Sequence, residues 1–124
     1  MKLITELFQV LIALGLINVW LIRFNRKTKF RGGTANNMVE EFATYGLSKS
    51  VCLGVGGLKL LSAVGLLVGL FIPVIALYSS AVLVVLMVGA LLMHAKVHDP
   101  LKKLIPAFTV LVLCLFVSVS ILLS

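Results

Sequence analysis

Between Ser50 and Met93 the only charged side chain is that of Lys59. At ~1.5 Å rise per residue, one straight helix over this stretch would be far longer than the ~30 Å hydrocarbon slab of a bilayer, so it predicts two crossings. Pro73, in Gly69-Leu70-Phe71-Ile72-Pro73, is the breaker near the middle and marks the turn. Apolar runs on either side of this hairpin complete the pattern. The predicted spans cover residues 3–22, 50–71, 73–93 and 100–123. Asp99 before Pro100 reads as a helix start, the carboxylate capping free amides and the proline occupying the first helical position.

The segment between the first two spans is different in kind. Arg23, Arg26, Lys27, Lys29 and Arg31 lead to Gly32-Gly33, and then Met38, Phe42 and Tyr45 recur at i, i+4, i+7. This predicts a short amphipathic helix over 35–45, with Thr34 as N-cap and Gly46 as its stop. Such a helix either lies on the membrane surface or tucks against the bundle. The fold class that follows is an all-α, integral membrane four-helix bundle forming a single domain over 1–124.

Composition agrees: 124 residues, 61% hydrophobic and 12% charged, leave too little polar surface to cover a water-soluble globule. The net charge of +7 lies mostly beside apolar runs, as interface and topology anchors do, and not in a nucleic-acid face. Trp20 next to Arg23 is expected in the headgroup layer. Both basic connections are expected to face the cytoplasm, with the termini and the Pro73 turn outside, in a bacterial inner membrane. Cys52 and Cys114 stand apart in apolar runs without a Cys-x-x-Cys partner and read as small hydrophobes.

Few side chains carry candidate chemistry. Lys59 is expected to face the bundle interior, with Glu6 the best acidic partner within the spans; a ligand or proton site there is the alternative. His94 is expected to make hydrogen bonds at the interface with Tyr45, Glu40 or Glu41, in a polar cluster on the cytoplasmic face that also holds Asp99. His94 and His98 lack the surrounding ligand set of a metal motif, so no metal is expected. Gly57, Ser62, Gly65 and Gly69 form a small-residue stripe that predicts a closely packed neighbour. Gly32-Gly33 reads as a flexible turn or as an anion-binding nest.

Gly57-Leu58-Lys59-Leu60-Leu61-Ser62-Ala63-Val64-Gly65-Leu66-Leu67, then Pro73, then Gly89-Ala90-Leu91-Leu92-Met93-His94, resembles the DoxX-like family of small four-helix membrane proteins. Arg31-Gly32-Gly33, Glu41-Phe42 and Tyr45-Gly46-Leu47 resemble the first loop of some bacterial members. The joint from His94 to Lys103 is also similar to that of an animal assembly chaperone for acetylcholine receptors. The resemblance implies a bundle whose function varies: quinone-linked sulfur oxidation, membrane redox defence, or assembly of other membrane proteins. Some relatives carry an acidic residue near the Lys59 position, so the charge there is inverted in this chain, and the missing cysteine pair argues against thiol chemistry. The expected role is a non-enzymatic accessory or assembly subunit that contacts lipid and another membrane protein or its own copy, without a cofactor. A quinone- or lipid-binding subunit of a redox system is the alternative, with Lys59 and His94 at the head group, and a small transporter the third.

Overall fold

The computed structural model describes residues 2–124. Among them, four helices are long and apolar enough to cross a membrane. The first, α1, runs Lys2–Ile17 and continues through a wider π-helical turn over Asn18–Ile22. The short α2 is Met38–Thr44, and the remaining spans are α3 (Lys49–Val68), α4 (Pro73–Lys96) and α5 (Leu101–Leu123). Each long helix packs on two others, α1 on α3 and α5, α4 on α3 and α5, so the four close into a ring, and α2 rests on α3. Leu3, Leu61, Tyr78 and Val85 stand outward, as a lipid-facing surface requires.

Several boundaries move for local reasons. The turn of the hairpin occupies residues 69–72, so α3 stops before Phe71, while α4 starts at Pro73 and runs a turn past Met93 to Lys96. Asn37, not Thr34, caps α2: its side-chain oxygen accepts from the Glu40 amide at 2.9 Å, and its amide nitrogen donates to the Glu40 carboxylate at 2.8 Å. Met38, Phe42 and Tyr45 are all buried. The apolar face of α2 is therefore tucked against the bundle rather than laid on lipid. Asp99 does not cap α5, which begins after Pro100 with no side-chain cap.

Close helix approach is concentrated in the hairpin. A Cβ on Gly69 would lie 2.7 Å from the backbone nitrogen of Ala76, and one on Gly65 would run into the Ser79 side chain. Gly57 departs from the predicted stripe. It is exposed and has open space around it, whereas Gly56, one residue earlier, faces inward against the Trp20 ring. At the end opposite α2 the helices are joined by uncharged polar groups. Thr5 and Ser120 hydroxyls meet at 2.6 Å, those of Ser80 and Ser118 at 2.7 Å, and the Gln9 amide donates to the Leu66 carbonyl at 2.9 Å. Such bonds average about 0.6 kcal/mol each within a bilayer, so they set register more than they supply stability.

Candidate functional site

The ionisable side chains gather at the other end, where the first loop meets the α4–α5 joint. Arg31 is 5% exposed and organises the loop: its guanidinium donates to the carbonyls of Arg23, Phe24 and Arg26 and to Glu41 Oε1 at 3.3 Å. A planar fork with five donors can hold several carbonyls in this way where a lysine could not. Nothing in hydrophobic periodicity marks Arg31 as central, because it sits among other basic residues. The neighbouring glycine is the usable clue, since a Cβ on Gly32 would collide with the Tyr45 ring.

Asp99 carries the second half of the cluster. Its carboxylate accepts from His94 Nδ1 at 2.7 Å and from the Gly33 amide at 3.0 Å, with Lys103 Nζ at 3.8 Å. Lys103 also donates to the Gly33 carbonyl at 2.6 Å, and Lys96 to the Tyr45 carbonyl at 2.8 Å. Gly33 adopts a positive φ of 56° to present both of its groups to these partners. The Gly32-Gly33 turn thus offers its amide to an internal carboxylate. Burial is the largest influence on Asp99 and pushes its carboxyl up, but the His94 ring, the Gly33 amide and Lys103 together outweigh it and hold the group below its ordinary value.

Tyr45 links the two halves. Its hydroxyl donates to Glu41 Oε2 at 2.8 Å and lies 3.4 Å from the His94 ring. Burial first, and the adjacent Glu41 carboxylate second, raise the phenol well above its usual range, so it remains a donor. An ionised Asp99 is acceptor only, which places a proton on His94 Nδ1 and points Nε2 toward Tyr45 and Glu41, the latter at 3.9 Å.

Beneath this cover lies a cavity of about 640 Å³ between α1, α4 and α5. Glu41, Tyr45, His94, Arg31 and Lys59 stand on its wall among mostly apolar side chains, and exposed Val19 and Val85 show that it reaches the outer surface of the bundle. Gly15 and Gly89 also line it, each with open space where a side chain would be. The π-helical end of α1 forms part of the wall, and such widened turns recur at functional sites.

Lys59 is 8% exposed, and its ammonium sits 5.0 Å from the centroid of the Trp20 ring. Trp20 is itself 5% exposed, so the indole is an interior platform and not a headgroup anchor; Gly56 makes the room for it. No ion pair among the described residues includes Lys59. Glu6 is not its partner. Lys59 lies level with residue 20 of α1, and fourteen residues of helix put Glu6 ~20 Å away toward the opposite end. Of the remaining predicted cluster, Glu41, Tyr45, His94 and Asp99 come together, whereas Glu40 is exposed and occupied with Asn36 and Asn37. Exposed His98 stands apart, and among the described residues no group of three His, Cys, Asp or Glu side chains is arranged to hold a metal. Cys52 and Cys114 are free and buried.

Four apolar helices in a closed ring, with ionisable groups at one end and a cavity below them that opens to the outer surface, define a small integral membrane bundle protein. A model of the DoxX-like family matches residues 7–117, and the chain belongs to that family. No curated protein and no solved structure matched, so the likeness of the third joint to the animal chaperone has no support.

Proposed function

We propose that this protein is a membrane-embedded binding subunit that holds an amphiphile, a quinone or a lipid, with its polar head at Lys59 and its apolar part along α4 and α5. The basic end faces the cytoplasm in this reading. The observation that carries it is an ammonium buried in the bundle, on a cavity wall, with no carboxylate within 4 Å among the described residues. A lysine at mid-membrane costs about 2.5 to 3.5 kcal/mol on insertion scales. A desolvated cation–π contact returns about 2 kcal/mol. A hydrogen-bond acceptor on a bound molecule supplies the rest, and an apolar cavity with a few convergent polar groups is how small-molecule sites are commonly built.

Trp20 is the only tryptophan in the chain and lines the cavity, so it reports on occupancy directly. With the protein in nanodiscs, a short-chain quinone or a spin-labelled lipid is expected to quench its fluorescence saturably, and Lys59→Met to weaken that binding by about tenfold. Quenching that is linear in probe and indifferent to Lys59→Met refutes the reading.

A second reading, an accessory subunit that packs against another membrane protein or a second copy, is favoured by the outer face of α3. Gly54, Gly57, Leu58 and Leu61 are exposed at i, i+3, i+4, i+7, and the two glycines leave bare backbone with nothing against it. If that face is covered in the membrane, Gly57→Phe abolishes a complex recovered by crosslinking before solubilisation; unchanged crosslinks count against it.

A further inference from the structure

Resting on the amphiphile reading, we infer that the head group is an acid, a carboxylate or phosphate carried on a single apolar chain. The acidic side chain on the cavity wall is already taken, because Glu41 is held by Arg31 at 3.3 Å and by the Tyr45 hydroxyl at 2.8 Å. The nearby Asp99 is occupied by His94, Gly33 and Lys103. What the wall leaves without an ion-pair partner within 4 Å among the described residues is positive: Lys59, buried in the bundle and reached by the already paired Glu41 only at longer range, and the exposed Arg23 at the cavity's basic end.

A neutral carbonyl would give Lys59 a hydrogen bond and leave its charge uncompensated in a medium of low dielectric. A carboxylate or phosphate oxygen gives a charge-assisted bond and cancels the charge as well. Size agrees. At the ~30 Å³ that a water occupies in the liquid, 640 Å³ has room for about twenty heavy atoms. That is enough for one long-chain acid.

The test uses the full chain in phosphatidylcholine nanodiscs, with Trp20 fluorescence as readout. The probes are brominated stearate, the brominated alcohol of the same chain, and lysophosphatidate as competitor. The carboxylate is expected to quench at about tenfold lower mole fraction than the alcohol, with Lys59→Gln removing the preference and Lys59→Arg keeping it. Displacement of stearate by lysophosphatidate at lower mole fraction assigns the head to phosphate, and failure to displace assigns it to carboxylate; either result supports an acid. Equal quenching by acid and alcohol, or a preference that survives Lys59→Gln, overturns the acid head while leaving the amphiphile reading intact. Quenching by neither probe above the level of a Trp20 control peptide in the same discs overturns both.

Discussion

Gly69→Ala is expected to destabilise the bundle by about 3 kcal/mol, the upper end of the cost of overpacking, and to show it as a lower unfolding midpoint in detergent. The added methyl would meet the nitrogen, Cα and Cβ of Ala76, all within 2.8 Å. Two of those atoms are backbone, so no rotamer change can relieve the contact, and α3 and α4 must separate where the hairpin turns. Gly54→Ala supplies the opposite sign. That glycine has open space around it, and alanine there gains up to ~1 kcal/mol of helix propensity. Equal midpoints for the two variants would mean that the hairpin is not packed as closely as its geometry states.

Asp99→Ala is expected to cost about 2 to 3 kcal/mol at neutral pH, because it strips an acceptor from His94, from the Gly33 amide and from Lys103 together. The pH dependence has a definite sign. A carboxyl held below its ordinary value in the folded protein contributes stability that is complete above its unfolded value of ~3.9 and is lost as pH falls through the folded one. The gap between wild type and Asp99→Ala should therefore narrow below about pH 4. A gap that widens on acidification would show that Asp99 is not ionised in the folded state. Trypsin cleavage within the loop that contains Lys27 and Lys29 gives a local readout, since releasing Gly33 from Asp99 frees the segment from the α4–α5 joint.

The parts of this architecture that were legible in the chain are those set by local pattern. Apolar run length fixed the crossings, Pro73 the turn, and the Gly65–Gly69 spacing the close approach in the hairpin. What escaped is azimuth and long-range pairing. Glu6 was expected beside Lys59 as the best acidic side chain within the spans, but run length carries no information about which neighbour stands at a given level, and the answer was the aromatic face of Trp20. The same missing dimension made Gly57, rather than Gly56, look like the packing residue, although the two are one position and about a hundred degrees apart on the helix. Asp99 read as a cap because Asp-Pro is a strong local signal. Its carboxylate is instead claimed by groups from three other segments, α4, α5 and the first loop, the last through Gly33, far away in sequence. The approach of His94, Tyr45, Glu41 and Asp99 was visible only as a shared end of the bundle, since their distances depend on how a loop folds back.

The depth of Lys59 has an electrical consequence. Ten residues of helix from Lys49 carry its backbone ~15 Å inward, while its ammonium lies beside Trp20, three residues short of Arg23 at the basic end. An anion that travels from the basic end to that ammonium crosses part of the transmembrane voltage, each tenth of it worth ~0.2 kcal/mol for every 100 mV. Occupancy of the site by a charged guest would then rise or fall with the energisation of the cell, whereas an uncharged guest would ignore it.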